Sequence, residues 1–101
     1  MIVTVFRSRL KPEAMAAYMP MAARMSELAR GMPGYVSHKV FTSEDGERVT
    51  IVEFESEATH HAWATHPEHI NAQRKGRADF YEAYSLQVCE VKRQTVFPSD
   101  D

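Results

Sequence analysis

The stretch YVSHKVFTSEDGERVTIVEFE, residues 35–55, contains the features that decide the fold. Two runs rich in β-branched and aromatic residues, Tyr35 to Thr42 and Arg48 to Glu55, flank the turn sequence Glu44-Asp45-Gly46. Two such runs joined by a short Gly-containing loop predict a β-hairpin. The hairpin therefore occupies the middle of the chain, with room for a strand and a helix on either side of it.

Before the hairpin, residues Ile2 to Arg9 are rich in β-branched side chains and predict a strand. Pro12-Glu13-Ala14 then has the proline and acid that favour the first turn of a helix. An apolar stripe at spacings of three and four continues that helix to Gly31: Met15, Tyr18, Ala22, Met25 and Ala29. Pro20 interrupts the stripe, so the sequence predicts a kink there or the start of a second segment.

After the hairpin, Ser56 is a suitable N-cap for a helix that begins at Glu57. His66-Pro67 divides this helix, because the residue before a proline is kept out of the α conformation and proline favours the first position of a new helix. The second piece is expected from about Pro67 to Asp79. A last strand is expected from Tyr84 to Val91.

These elements follow the order β-α-β-β-α-β, which predicts an α+β, ferredoxin-like fold with a four-stranded antiparallel sheet and a second helix split at Pro67. With 101 residues, the chain is long enough for one domain, expected to span residues 1–97. Residues 98–101 are expected to form a frayed C-terminal tail.

All four strands are apolar in both phases of the β repeat. In the first strand, Val3 and Val5 alternate with Ile2 and Phe6, and in the third, Val49 and Ile51 alternate with Val52 and Phe54. Two helices cover only one face of such a sheet, so the other face needs a partner. We therefore expect a homodimer whose sheets pack face to face.

Composition limits the classes of partner. The net charge of −2 provides no basic field for nucleic acid, and no segment approaches membrane-spanning length. The single cysteine, Cys89, excludes an internal disulfide and is expected to be a buried thiol within its strand. The N-terminus lacks the pattern of a signal peptide, so a cytoplasmic location is expected.

Four of the five histidines lie within residues 60–69, which raises the question of a metal site. His60 and His61 are adjacent and therefore point about 100° apart on a helix. His66 lies at the helix break, where capping or packing is the better interpretation, and zinc normally requires three protein ligands. We therefore expect no metal.

An organic pocket explains the same segment better. On a helix that begins at Pro67, residues His69, Gln73 and Arg77 recur every four positions and share a face. Apolar walls are available from Trp63 and from a further set of side chains, namely Phe6, Met25 and Phe54. Ordinary core packing is the competing interpretation for these apolar residues.

The sequence places two more polar candidates near this pocket. His38 lies in the middle of the second strand and faces either the pocket or the dimer interface. Tyr84, at the start of the last strand, is a hydrogen-bond donor for the pocket rim. Arg77 either stabilises an oxyanion or caps the end of its helix.

Several of these segments resemble the antibiotic biosynthesis monooxygenase-like domains of the dimeric α+β barrel superfamily. The segment Trp63-x-x-His66-Pro67-x-His69 carries the resemblance, together with Gly76-Arg77-x-x-Phe80-Tyr81 before the last strand. Two further segments also match, the connector Met32-Pro33-Gly34-Tyr35 and the strand end Val52-Glu53-Phe54. The resemblance covers residues 1 to about 91 and implies a dimeric α+β barrel with one pocket per protomer between sheet and helices.

Members of this family include cofactor-independent oxygenases, haem-degrading enzymes and isomerases of small metabolites. Haem-degrading members use an Asn on the first strand and a His about ten residues after the Trp. This chain has no Asn on its first strand and has Gln73 at the second position, which disfavours haem chemistry.

The resemblance therefore implies a monooxygenase that oxidises a quinol- or anthrone-like aromatic molecule with O₂ and without a cofactor. His69 is the candidate base, because imidazole accepts protons near neutral pH, although a structural hydrogen bond is the competing role. Trp63 would shape the pocket or stack on the substrate, and Arg77 or Tyr84 would hold the developing oxyanion. The alternative is a non-catalytic module for a small hydrophobic ligand or for dimerisation.

Overall fold

A computed structural model describes residues 1–98 of the chain, so most of the tail expected at 98–101 lies outside the described residues. Within residues 1–98 the chain forms four strands and three α-helices. Their bounds are β1 Ile2–Leu10, α1 Met15–Arg30, β2 Tyr35–Thr42, β3 Arg48–Phe54, α2 Glu57–Ala64, α3 Pro67–Lys75 and β4 Tyr81–Glu90. A π-helical turn, Gly76–Phe80, joins α3 to β4.

The strands form one antiparallel sheet in the order β2-β3-β1-β4. The two central strands are therefore β1 and β3, and the hairpin strand β2 and the last strand β4 form the edges. This arrangement confirms the α+β, ferredoxin-like fold with a four-stranded antiparallel sheet.

The helices pack on the sheet face that carries Ile2, Thr4 and Ser8 of β1, all of which are buried. In register with them, Phe54 lies opposite Ile2 on the neighbouring strand β3. Phe54 is 0 % exposed and forms a core cluster with Ala29 of α1 and Trp63 of α2. We call this face the helical face, and the face that carries Val3, Val5 and Ile51 the outer face.

A β-bulge in β2 changes which side chains lie on the helical face. Tyr35 pairs with Phe54 and Ser37 pairs with Glu53, so two steps along β2 correspond to one step along β3 and Val36 is the extra residue. Strict alternation would place Tyr35 and His38 on opposite faces. With the bulge, the two side chains lie on the same side and their polar atoms are 2.7 Å apart.

The first helix differs from the prediction at two points. It begins at Met15 rather than at Pro12, and it continues through Pro20 to Arg30 without a second segment. Proline at position 20 removes one backbone hydrogen bond, to the carbonyl of Ala16. Both Ala16 and Pro20 are exposed, so water can satisfy that carbonyl, while the buried Tyr18 and Ala29 hold the helix on the sheet.

The split of the second helix is confirmed. Ser56 caps α2 in a capping box with Thr59, and α2 ends at Ala64. Pro67 is the first residue of α3, and the His66 side chain accepts a hydrogen bond from the Glu68 backbone N–H at 3.2 Å. The four histidines therefore have separate surroundings: His60 is half-buried against Phe54, for example, whereas His61 is exposed.

The junction between α3 and β4 differs from the prediction. Helix α3 ends at Lys75 rather than near Asp79, and β4 begins at Tyr81 rather than at Tyr84. A Cβ atom on Gly76 would lie 2.4 Å from Cε2 of the Tyr81 ring, so glycine allows the chain to pass close to that ring. The Tyr81 ring therefore packs over Gly76, in the space that any side chain at position 76 would need.

Cys89 is exposed on the edge strand β4, so the prediction of a buried thiol is wrong for the single chain. The reason is the register, because Cys89 pairs with Val3 and its side chain therefore lies on the outer face, which the helices do not cover. Among the helices of residues 1–98, none is long and apolar enough to cross a membrane.

Gly34 and Gly46 provide a matched test of how the connector after α1 is held. Both have positive φ, +80° and +89°, but a Cβ on Gly34 would lie 2.5 Å from Cβ of Thr59 in α2, whereas nothing surrounds Gly46 within 4 Å. We expect Gly46→Ala to lower the free energy of unfolding by about 1–2 kcal/mol, the cost of the left-handed conformation. For Gly34→Ala we expect a loss of roughly 2–5 kcal/mol, because overpacking against Thr59 adds to that cost.

Urea denaturation of the two variants and the parent protein measures this difference. Equal losses for Gly34→Ala and Gly46→Ala would show that the contact between the connector and α2 does not constrain position 34.

Candidate functional site

The site is centred on an aromatic pair formed across the helix break. Trp63 lies in the last turn of α2 and His69 in the first turn of α3, and their rings stack with centroids 4.0 Å apart and planes at 13°. His69 Nδ1 also lies 3.0 Å from the backbone carbonyl oxygen of Trp63. The break at His66-Pro67 allows this contact, because it turns the start of α3 back towards the end of α2.

The hydrogen bond to Trp63 fixes the tautomer of His69. A carbonyl oxygen only accepts hydrogen bonds, so Nδ1 must carry the proton and donate it. In the neutral ring Nε2 then has a free lone pair, and it makes no hydrogen bond to any residue within 1–98. Nε2 is therefore the atom of this pair that can accept a proton from a bound molecule.

Burial lowers the pKa of the His69 imidazole below its ordinary value of 6.5, against the opposing effect of the hydrogen bond to the Trp63 carbonyl. Burial disfavours the charged form, which explains the direction. At neutral pH the ring is therefore uncharged and in the form that a general base requires.

Two of the expected wall residues lie behind the aromatic pair. Phe54 is completely buried beneath Trp63, and Met25 of α1 packs against the same core cluster. Phe54 therefore supports Trp63 from the sheet side and exposes no surface that a ligand could contact. His60 also packs on Phe54, with ring centroids 6.0 Å apart, and burial lowers the pKa of His60 as well.

His38 faces the helices, which answers the question that the sequence left open. Its Nδ1 is 2.7 Å from the hydroxyl of Tyr35, and its Nε2 is 3.1 Å from Oγ of Ser26 in α1. Burial lowers the pKa of His38. Because both ring nitrogens are engaged, His38 connects β2 to α1. Tyr35 was not among the sequence candidates, because only the bulge at Val36 brings it next to His38.

Phe6, Tyr81 and Tyr84 form an aromatic cluster at the other end of the helical face. The three ring centroids are 5.5–5.6 Å apart, and Arg77 Nη1 lies 3.4 Å from the Tyr84 hydroxyl. Arg77 is exposed in the π-helical turn and is directed towards β4. Burial raises the pKa of the Tyr81 phenol, so its hydroxyl stays protonated.

The candidates thus divide between the two ends of the sheet. Phe54, beneath Trp63, pairs with Ile2 of β1, whereas Tyr84 pairs with Ser8 six residues further along. Six strand residues span about 20 Å. Gln73 is half-buried on α3 between the two ends. His69 and Arg77, eight residues apart in sequence, are separated by about 12 Å of helix rise.

Two surface depressions of the described residues lie beside these groups. A groove of about 310 Å³ between α1 and α3 is lined in part by Met21, Met25, Ala72 and Phe80. At its edge Arg24 of α1 is paired with Glu68 of α3, with Nη2 and Oε1 2.9 Å apart. A smaller depression of about 220 Å³ at the sheet end includes Ser8 and Tyr84. Neither Trp63 nor His69 lines either of these two depressions.

Metal-ligating side chains do not converge in the part of the chain that the structure describes. No group of three His, Cys, Asp or Glu residues within 1–98 is placed to hold an ion. The chemistry that this arrangement offers is therefore proton transfer at His69 Nε2, next to aromatic and apolar surfaces.

Comparison with known proteins gives a consistent assignment. The sequence profile of the antibiotic biosynthesis monooxygenase family matches residues 1–75. The uncharacterized protein YqjZ of Bacillus subtilis (strain 168) is 34 % identical over 93 residues, which cover 92 % of this chain and 82 % of that protein.

Solved structures of the same fold are more distant in sequence. SnoaB from Streptomyces nogalater, a cofactor-independent oxygenase, superposes with a TM-score of 0.78 at 20 % identity, covering 97 % of each chain. Rv0793 from Mycobacterium tuberculosis superposes with a TM-score of 0.83 at 18 % identity, covering 94 % of this chain and 98 % of that one. At these identities the two superpositions establish the shared fold.

Proposed function

Because the chain belongs to the antibiotic biosynthesis monooxygenase family, we propose that it is a cofactor-independent monooxygenase acting with O₂ on a small aromatic molecule of the quinol or anthrone type. The observation that carries this proposal is the stacked pair of Trp63 and His69, with Nε2 free to accept a proton. The similarity to SnoaB, itself a cofactor-independent oxygenase, supports the reaction class.

In the proposed mechanism His69 Nε2 removes an acidic proton from the substrate. For an anthrone, the resulting carbanion passes one electron to O₂, and the radical pair combines to form a C–O bond. The imidazolium of His69 returns the proton to the peroxide, and loss of water leaves a carbonyl. The balance is one methylene and O₂ giving one carbonyl and one H₂O, so the substrate supplies all the electrons.

Trp63 acts in this proposal as a positioning residue. It is only 7 % exposed, and one face of its indole is covered by the His69 ring, while its carbonyl holds Nδ1. Fixing the imidazole in one tautomer and orientation avoids a cost of reorganisation when the proton is transferred.

We further propose that an elongated substrate extends from His69 along Gln73 towards Arg77. Phe6 and Tyr84 would then contact its far end, where Arg77 or the Tyr84 hydroxyl would stabilise a developing oxyanion. The helix rise between His69 and Arg77 is about 12 Å, so a substrate that contacts both residues must have about this length. Met25, His38 and Phe54 would support this surface from behind.

We predict that His69→Ala lowers kcat/KM for O₂ uptake by about 10²–10⁴-fold, because a general base contributes this much to proton abstraction. The assay is oxygen consumption with a panel of quinols and anthrones. In the parent protein, kcat/KM should fall only as the pH drops below 6.5, because burial lowers the pKa of His69 and protonation removes the base.

His61→Ala is the matched control, since His61 is exposed on α2 and lies outside the proposed site. Unchanged turnover in His69→Ala would refute the assignment of the base. Binding of these aromatics without any oxygen uptake would instead support a non-catalytic ligand-binding module.

We also propose that the functional unit is a homodimer formed through the outer face of the sheet. This face carries apolar residues in a row across three strands, including Val3, Val49 and Ile51, and Phe41 on it is 48 % exposed. Burying these side chains against a second copy would remove an apolar surface from water.

We predict that Ile51→Arg shifts the protein from dimer to monomer in sedimentation velocity runs at micromolar concentration, because it introduces a charge at the centre of the outer face. Ala58→Arg, at an exposed position of α2, should leave the mass unchanged. A monomeric parent protein under these conditions would contradict the proposed dimer.

A further inference from the structure

Arg48 is placed where a surface arginine would not be expected. It is the first residue of β3, and its neighbours across the sheet are Ser8 of β1 and Thr42 of β2. Ser8 is buried on the helical face, at 3 % exposed, and Arg48 Cζ lies 5.3 Å from the centroid of the Tyr18 ring in α1. The guanidinium of Arg48 therefore lies between the sheet and the first helix.

The charge of Arg48 lacks a partner in the described part of the chain. Arg7, Arg9 and Arg24 are each paired with a carboxylate at 2.7–3.0 Å, and none of the five ion pairs of residues 1–98 includes Arg48. The Nε atom of Arg48 is buried and has no hydrogen-bond partner among these residues. Arg48 is thus a half-buried arginine whose side-chain N–H groups bind no residue within 1–98, and its Nε–H is also shielded from water.

Contact with Tyr18 does not account for these donors. A cation–π contact uses the face of the ring and the charge of the guanidinium, whereas the N–H groups point outward in the guanidinium plane. A buried donor left without a partner costs free energy, and a partly desolvated cation costs more. An anionic oxygen in the guanidinium plane would offset both costs, and bidentate binding of such a group is the characteristic use of arginine.

The surroundings of Arg48 indicate the chemistry of such a ligand. Tyr18 packs on Tyr81, with ring centroids 5.9 Å apart, and Tyr81 belongs to the aromatic cluster with Phe6 and Tyr84. Ser8 provides a buried hydroxyl between Arg48 and Tyr84 in the cross-strand register. The end of the helical face thus combines one cation with several aromatic rings.

We propose that Arg48 is the anion-recognition residue of a second subsite, which binds an aromatic ligand through a carboxylate or an ionised phenol. The ligand ring would lie against the cluster of Phe6, Tyr81 and Tyr84, with its anionic oxygen in the plane of the guanidinium. This subsite shares Phe6 and Tyr84 with the far end of the proposed substrate path, so the inference rests in part on the proposed function. Arg48 itself lies about 20 Å of strand from the Trp63–His69 pair, so the binding of charged probes tests the subsite without any oxygen uptake.

The test compares probes that differ only in charge. We expect 2-naphthoate to bind the parent protein at least about tenfold more tightly than neutral 2-naphthamide in calorimetric titrations, because a charge-assisted bidentate pair strengthens binding by at least that factor. Arg48→Met should abolish the preference, and Arg48→Lys should retain part of it. Arg74→Met, at an exposed position of α3, should leave it intact.

Ionised phenols are tested with 4-nitrophenol, whose phenolate absorbs at longer wavelength than its neutral form. The parent protein should lower the apparent pKa of the bound probe, and Arg48→Met should not. Binding of naphthoate alone identifies a carboxylate ligand, and an effect on nitrophenol alone identifies a phenolate.

Thermal unfolding separates ligand recognition from a structural role of Arg48. In the absence of probe, Arg48→Met should unfold at the same temperature as the parent or higher, because an unpaired charge has been replaced by an apolar side chain. Saturating 2-naphthoate should raise the unfolding temperature of the parent only. If the parent binds both naphthalene probes equally and leaves 4-nitrophenol unchanged, the proposal is overturned. The same holds if Arg48→Met keeps the preference for the charged probe.

Discussion

Proline at position 67 has no backbone N–H and keeps His66 out of the α conformation, and the site depends on this constraint. His66 has φ −60° and ψ 131°, so α2 must end and α3 must begin anew. The new helix starts with its first turn next to the last turn of α2, which brings the imidazole of His69 onto the indole of Trp63. A continuous helix would place residues 63 and 69 about 120° apart around its axis and about 9 Å apart along it, too far for their rings to stack. The hydrogen bond from Nδ1 to the Trp63 carbonyl likewise depends on the break, because at the end of α2 that oxygen accepts both from the His66 backbone N–H at 3.1 Å and from the His69 ring at 3.0 Å.

Burial affects the charge of histidine and of arginine side chains differently. For His38, His60 and His69, removal from water lowers the pKa, so all three imidazoles are neutral at pH 7 and the protein avoids burying their charge. Arginine has no such option, since its guanidinium stays protonated in proteins. This difference underlies the two roles that we propose, a base at His69 and an anion receptor at Arg48.

Much of this arrangement could be predicted from local sequence. The hairpin turn, the cap at Ser56 and the restart at Pro67 each depend on residues a few positions apart, and local chemistry determines all three. The bulge at Val36, the π-helical turn after Lys75 and the path of α1 through Pro20 depend instead on packing between distant elements. The contact of Gly76 with Tyr81 illustrates this, because it forms only when α3 meets β4. The sequence predicted one site for Trp63 and His69, whose rings stack in the structure. It did not reveal Arg48, because the missing hydrogen-bond partner of Nε is visible only in the folded chain.

The contacts of His69 predict a neutral imidazole with its proton on Nδ1 and a free Nε2. Long-range ¹H–¹⁵N correlation spectra of protein labelled with ¹⁵N-histidine measure this directly, with His69→Gln used to assign the signal. At pH 7 we expect the His69 ring to show a protonated Nδ1 and an unprotonated Nε2, and to become charged only below pH 6.5. A ring protonated on Nε2 alone, or already charged at pH 7, would contradict this protonation state and with it the role of His69 as a base.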